Sequence, residues 1–532
     1  MAYHWWQRGV IYQIYPRSFK DSNGDGIGDL EGIIQKLDYL NNGTHDSLGI
    51  EAIWISPFYP SPMADFGYDV ANYVDIDPMF GDLADFDRLI TEAHQRGIKV
   101  IIDYVPNHTS EEHPWFLESR SSRDNPRRDW YIWRDAKPDG SPPNNWGSWF
   151  GGPSWTWDEH TGQYYLHSFT KEQPDLNWAN PAVYQAMMDV LRFWLDRGVD
   201  GFRMDVVFLI DKHPQLLDNP PNPNPAPDLS PNDLAGRQLN IHNREQPGLF
   251  KYLRDFRKLT DEYTDRVIIG EIWVELDAWV KYFGENGDAL HLPFNFRLLQ
   301  LPEWNAELVR QSVDELEQAL PSFGWGNYVL GSHDIGRLAT RIGQDQARIA
   351  AMLLLTLRGT PTLYNGDEIG MENGVIPPDK IRDPQGIILG AHRTRDVCRT
   401  PVQWDSSAYA GFSTVEPWLP VSEDYRSRNI QVQGLDPKSM LSLYRKLLWY
   451  RHGSAALYGG SYLPVDGPAG TYLYLREHDS ERKLIALNFT NETKAVTLTD
   501  HGRIVLSTYL DREEAINGEF HLRANEGVII EL

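Results

Sequence analysis

Short apolar runs alternate with longer amphipathic ones along most of this chain, and that alternation limits the fold more than any other feature. The β-type runs are Val10–Tyr15, Ala52–Ile55, Lys99–Tyr104, Gly201–Val206, Val267–Gly270, Tyr328–Gly331 and Pro361–Tyr364. Between them lie helix-periodic segments: Leu30–Leu40, Leu83–Arg96, Pro181–Arg197, Leu249–Tyr263, Ala306–Ala319 and Gln344–Arg358. Strand–helix repetition of this kind predicts βαβ units and a parallel sheet. Seven or eight units fit a closed (β/α)8 TIM barrel better than an open sheet, and in such barrels reactive groups gather at the C-terminal strand ends.

Two segments interrupt the pattern. Residues 106–176 are rich in Trp, Tyr, Gly, Pro and Asn and too long for a loop, so they read as a small domain inserted after the third strand. The Pro/Asn-rich stretch from Asp211 to Gln246 follows the Gly201–Val206 strand and is expected to be a lid or a pocket wall. After Gly459 the texture turns to short β-type runs separated by turns, Ser461–Val465, Gly470–Glu477, Lys483–Asn488, Lys494–Leu498, Ile504–Thr508 and Gly527–Leu532, which predicts an all-β domain over 459–532. The barrel is then assigned to 1–105 and 177–458.

In Gly201-Phe202-Arg203-Met204-Asp205 the arginine and the aspartate fall on one strand face. A neighbouring cation favours the ionised carboxylate, so Asp205 is a candidate nucleophile; a structural Arg–Asp pair is the alternative. Ile269-Gly270-Glu271 and Leu330-Gly331-Ser332-His333-Asp334 end two further runs. Carboxylates on separate strand ends would meet over one barrel mouth. Two of them about 5 Å apart would suit retaining glycoside hydrolysis, and the third could steady positive charge in the transition state.

Asp21-Ser22-Asn23-Gly24-Asp25-Gly26-Ile27-Gly28-Asp29 sets oxygen ligands at alternate positions. The side chains of Asp21, Asn23, Asp25 and Asp29 with the Ile27 carbonyl could wrap Ca²⁺ or Mg²⁺. A metal-free loop of Asx turns is the other reading. Gly32 stands where an EF-hand carries its closing glutamate, so no EF-hand is expected.

Composition narrows the partners. A net charge of −25 disfavours nucleic acid and anionic membranes and suits a soluble protein with a neutral substrate. The start, Met1 to Arg8, lacks a signal peptide's apolar core, and no run approaches a membrane span. The single cysteine, Cys398, excludes an internal disulfide and reads as a small, partly buried thiol. A cytoplasmic protein, monomeric or a small homo-oligomer, is expected.

These motifs resemble those of the α-amylase superfamily of glycoside hydrolases. Its first four signature regions are matched by Asp103–His108, Gly201–Asp205, Gly270-Glu271 and Ser332-His333-Asp334. Gln173-Pro174-Asp175-Leu176-Asn177 and the opening Val10–Phe19 are similar to the oligo-1,6-glucosidase and α-glucosidase branch. The resemblance implies Asp205 as nucleophile, Glu271 as acid/base and Asp334 as transition-state stabiliser. It implies Arg203 orienting Asp205 with Asp103 behind it, and His108 and His333 bonding to glucose hydroxyls. It also implies Asp65 with Arg395 closing the pocket, Tyr68 stacking on the sugar, Phe169 as a wall, and a structural Ca²⁺ in the Asp21–Asp29 loop.

The expected activity is therefore that of a retaining exo-α-glucosidase releasing terminal glucose from short oligosaccharides. Val206, after the nucleophile, resembles the family's marker for α-1,6 bonds, whereas the Asp211–Gln246 loop and His291–Phe296 look more like enzymes of α-1,4 or broader preference. Transglucosylation or isomerisation of sucrose, trehalose or maltose is the enzymatic alternative, and a non-catalytic glucosidase-like scaffold the remote one. One departure stands out: Ser332 replaces the asparagine usual in the fourth region.

Overall fold

The computed structural model describes residues 3–532, so Met1 and Ala2 lie outside the described residues. Eight strands form one parallel sheet. In chain order they are β1 (Ile11–Ile14), β2 (Ala52–Ile55), β3 (Lys99–Tyr104), β4 (Gly201–Met204), β5 (Val267–Gly270), β6 (Leu292–Pro293), β7 (Asn327–Val329) and β8 (Thr360–Tyr364). The ladder runs β7-β8-β1-β2-β3-β4-β5-β6. At the remaining seam the Asn327 side chain donates to the Pro293 carbonyl and accepts from the Asn295 amide at 2.9 Å, so a carboxamide closes the barrel. Strand β6 is absent from the expected strands because it has two residues and one is proline, which gives no periodic signal.

Side-chain alternation divides each strand between two cores. Ile11, Trp54, Ile101, Ile269, Leu292 and Val329 fill the lumen. Phe202, Met204, Ile102 and Ile268 face outward and pack under the helices. The helices start where polar caps allow. Asp82 accepts from the amides of Ala84 and Asp85 at 2.8 and 3.0 Å to open Leu83–Gln95. Asn180 precedes Pro181 at the head of Pro181–Asp196.

Between β3 and β4 a small antiparallel sheet of Trp133–Arg134, Trp155–Asp158 and Gln163–Leu166 stands beside the barrel mouth. Lys212 ties it down. Its ammonium contacts Asp175 Oδ2 at 2.9 Å and donates to Asn107 Oδ1 at 2.6 Å. The Asp211–Gln246 stretch packs against this insertion: Trp146 Nε1 donates to the Leu217 carbonyl, and Gly152 N to the Asn232 carbonyl.

The C-terminal sheet has six antiparallel strands. Two of the expected runs, Lys494–Leu498 and Ile504–Thr508, are parts of one strand, Lys494–Ser507, carried across a register shift between Thr497 and His501. Its partner Glu514–Leu522 escaped the sequence reading because charged and Asn-Gly positions mask its alternation. Arg476, fully buried, joins this sheet to the barrel: it donates to the carbonyls of Gly460 and Ser461 at 2.9 and 3.0 Å and to that of Thr356, at the end of helix Gln344–Thr356. Cys398 is fully rather than partly buried, and burial pushes its thiol up to about 12. No described helix is long and apolar enough to cross a membrane.

Arg476→Met would leave buried carbonyls without donors. Urea denaturation should show the first unfolding transition losing about 3 kcal/mol.

Candidate active site

Parallel register brings the first contacts together. Asp103 of β3 lies level with Arg203 of β4, and both side chains point into the lumen above its apolar floor. Arg203 Nη1 donates to Asp103 Oδ1 at 2.6 Å and to Asp205 Oδ1 at 2.8 Å, while Nη2 donates to Glu271 Oε2 at 2.6 Å. One guanidinium, 2 % exposed, thus serves carboxylates from three strand ends. Trp54 Nε1 completes Asp103 from the floor at 2.8 Å. Asp103 is wholly buried and does not reach the cavity.

Glu271 accepts from three donors. Besides Arg203, the Val206 amide reaches its Oε2 at 3.1 Å and Trp273 Nε1 reaches its Oε1 at 2.7 Å. The Val206 amide gets there because the backbone turns left-handed directly after Asp205, at φ 34° and ψ 43°. That is a costly conformation for a β-branched residue, about 1–3 kcal/mol, and here it aims a donor at a carboxylate.

Charge is not free in so dry a place. Burial pushes Asp205 well above the usual carboxylate range; Arg203 pulls it back, and Glu271 and Asp103 push it further up. Asp103 is raised to about 6, again by burial against the pull of Arg203. Asp334 behaves oppositely. Burial opposes its ionisation, but His333, Arg395 and Arg399 hold its carboxyl well below the usual range. Its Oδ1 lies 3.0 Å from Arg395 Nη1 and 3.2 Å from Arg399 Nη2, and its Oδ2 lies 3.3 Å from His333 Nε2.

The two histidines are held neutral by burial, His108 at about 4 and His333 at about 3. Gln13 Nε2 donates to His333 Nδ1 at 2.7 Å, so that ring keeps its Nε2 as the donor, while His108 accepts from Asn107 Nδ2 at 3.1 Å through Nδ1 and donates Nε2–H to the Tyr68 carbonyl at 3.1 Å. Tyr68 lies parallel to His333 with ring centres 5.4 Å apart, and its hydroxyl donates to Asp103 Oδ2 at 3.3 Å.

These groups surround a cavity of about 440 Å³ lined by Asp65, Tyr68, His108, Phe169, Asp205, Glu271, His333, Asp334 and Arg395 among others. Arg203 stands behind its wall. Asp65 and Arg395 meet at 2.8 Å, but Arg395 is not theirs alone: it also binds Asp383 Oδ1 at 2.6 Å through Nη2 and Asp334 through Nη1. Burial raises Asp65 to about 6 in spite of that partner.

Several lining residues were not named from sequence: Trp149 and Phe150 of the insertion, Phe208 and Leu209 after Val206, Asp233, Gly236 and Arg244 of the Pro/Asn-rich stretch, and Trp273. That stretch is therefore a pocket wall. Asp383 and Arg399 were missed as partners. Asp383-Pro384 signals a helix start, and the residue does cap Pro384–Leu389, which hides the use of its carboxylate on Arg395.

In the Asp21–Asp29 loop, Asp21 accepts from the amides of Asn23, Gly24 and Gly26, Asn23 from Asp25, and Asp25 from Ile27. Among the described residues no group of three His, Cys, Asp or Glu side chains gathers as a metal cluster. The Asx turns leave a lone pair on the Asn23 and Asp25 oxygens, whereas both oxygens of Asp21 and Oδ2 of Asp29 take two donors each; the oxygen-only donor set with left-handed Gly24 and Gly26 between suits a hard cation.

Comparison with known proteins agrees with this geometry. The alpha-amylase catalytic domain family matches residues 13–460. A probable alpha-glucosidase of Rhizobium meliloti is 42% identical over 92% of this chain and 90% of its own. An oligo-1,6-glucosidase of Heyndrickxia coagulans is 39% identical, covering 95% and 96%. The crystal structure of an alpha-glucosyl transfer enzyme, XgtA, superposes with a TM-score of 0.92 at 40% identity over 100% of both chains.

Replacing Arg203 by Met would strand Asp103 as an uncompensated buried charge. Chemical denaturation at neutral pH should show a loss of about 3–5 kcal/mol, of which adding Asp103→Asn recovers part.

Proposed function

The chain belongs to the α-amylase family of glycoside hydrolases, and from that premise we propose that it is a retaining exo-α-glucosidase cleaving terminal glucose from short α-1,6- and α-1,4-linked oligosaccharides. The observation that carries this reading is the single buried guanidinium shared by Asp205 and Glu271. Two carboxylates on one such group suit the narrow spacing of a retaining pair, about 5–5.5 Å, rather than the about 6.5–9.5 Å of an inverting one.

In this mechanism Asp205 attacks the anomeric carbon while Glu271 protonates the departing glycosidic oxygen. Burial disfavours the charge that Asp205 needs for attack, and Arg203 at 2.8 Å opposes that push. A covalent glucosyl-enzyme results, and Glu271, now a base, activates a water to release glucose. Asp334, held ionised by two arginines, steadies the oxocarbenium-like transition state. His333 offers an N–H donor to a ring hydroxyl, and His108, whose Nε2–H is on the Tyr68 carbonyl, exchanges that bond to do the same. The Asp65–Arg395 pair closes the far end and leaves room for one terminal unit. Val206 and the names of the relatives favour α-1,6 bonds among the substrates.

Transfer to a sugar instead of water is the second reading. Val206, Phe208, Leu209, Trp273 and Ile335 make one side of the cavity apolar, which disfavours water as acceptor, and XgtA is itself a transfer enzyme.

The Asp21–Asp29 loop is proposed to hold Ca²⁺, or Mg²⁺, through Asp21, Asn23, Asp25, Asp29 and the Ile27 carbonyl. There it would brace the loop after β1 and take no part in bond cleavage.

Asp205→Asn and Glu271→Gln should each lower kcat on isomaltose and maltose by at least about 1000-fold with the thermal transition unchanged. Proton NMR of early product should show α-glucose; β-glucose would contradict retention. Strong chelator should lower the melting temperature by several degrees, reversed by added Ca²⁺, with little change in turnover at 25 °C.

A further inference from the structure

The two oxygens of Glu271 are not equivalent. Oε2 accepts from two donors, Arg203 Nη2 at 2.6 Å and the Val206 amide at 3.1 Å. Oε1 accepts from one, Trp273 Nε1 at 2.7 Å. A carboxylate oxygen offers about two lone-pair sites. A proton on Oε2 would therefore have to expel a donor, and one of those donors is a buried guanidinium. Oε1 has a site to spare.

The indole on Oε1 is itself held in place. Phe296 covers one face of the Trp273 ring, parallel within 10° at 4.0 Å between centres. Phe296 meets Phe294, and Phe294 meets Trp54, with centres 5.5 and 5.6 Å apart. Trp54 braces Asp103 through its N–H, and the Arg203 guanidinium lies 5.0 Å over its ring. One aromatic column in the lumen thus supports the donors to both oxygens of Glu271. Its last ring, half-buried Trp273, lines the cavity.

We propose that Trp273 is a positioning residue for proton transfer: it reserves Oε1 of Glu271 as the oxygen that carries the proton and stabilises the charge left there when the proton goes. The inference rests on the α-glucosidase reading and adds a residue to its acid–base step. In the first half-reaction the Oε1 proton passes to the glycosidic oxygen, which takes the electron pair of the breaking C–O bond. Asp205 supplies the pair that bonds to the anomeric carbon. Glu271 is left as a carboxylate, and the indole N–H, Arg203 and the Val206 amide share its charge. In the second half-reaction Oε1 takes a proton from the attacking water, whose oxygen displaces Asp205.

The test compares a bond that needs a proton to break with one that does not. Trp273→Phe keeps a ring against Phe296 and removes the N–H. Its kcat/KM on isomaltose should fall about tenfold, while that on α-glucosyl fluoride, whose fluoride departs without needing a proton, should stay within about twofold. Phe296→Leu, which leaves the N–H but removes its support, should show the same selectivity to a smaller degree. Equal losses on the two substrates, or none on isomaltose, would overturn the inference, and Phe296→Leu decides it alone if Trp273→Phe does not fold. Glu271→Gln is the reference and should lose far more on isomaltose than on the fluoride. A selective Glu271→Gln beside an unselective Trp273→Phe removes the inference and leaves the glucosidase reading standing; an unselective Glu271→Gln overturns both.

Discussion

Everything at the barrel mouth depends on one buried cation. Arg203 lies between Asp103, Asp205 and Glu271 with almost no access to water. Three carboxylates brought that close would repel one another and shed charge by taking up protons. The guanidinium makes the assembly tolerable, and its planar fork fixes where each carboxylate oxygen lies. The parallel register that sets Asp103 beside Arg203 is thus both a folding constraint and a functional one.

A second cation repeats this arrangement at the closed end of the pocket. Arg395 is bound by Asp65 from the loop after β2, Asp334 from the loop after β7, and Asp383 from the loop after β8. Segments far apart in sequence are pulled onto one side chain. Together with Arg399 it keeps Asp334 ionised, whereas Asp205, with more neighbouring carboxylates and fewer cations, is pushed up. The two aspartates differ because their surroundings differ: Asp334 has two guanidiniums against it, and Asp205 shares one with two other carboxylates.

How much of this was readable beforehand follows from range. The barrel was legible because strand and helix periods are local, and seven of its strands carry apolar runs. Strand β6, two residues ending in proline, carries none. Asp205, Glu271, His333 and Asp334 were legible because they sit in short motifs just after strand ends, and the structure gathers them about one cavity. Trp149, Phe150 and Arg244 were not, since nothing local marks a tryptophan in an insertion or an arginine in a long loop as facing a pocket tens of residues away. Asp383 and Glu514–Leu522 were hidden differently: each has a local pattern, a cap and a broken alternation, that points elsewhere.

The left-handed turn at Val206 has a wider consequence. Its side chain lines the cavity beside Asp205, while its amide holds Glu271. Any replacement acts on both at once: a glycine would relax the turn and free the carboxylate as it widens the pocket, and a bulkier residue would crowd the guest and strain the turn together. Which bond is chosen and how fast it breaks are therefore linked traits at this position. Drift toward a new substrate through residue 206 passes through slower enzymes unless a second change, at Trp273 or Arg203, steadies Glu271 in its place.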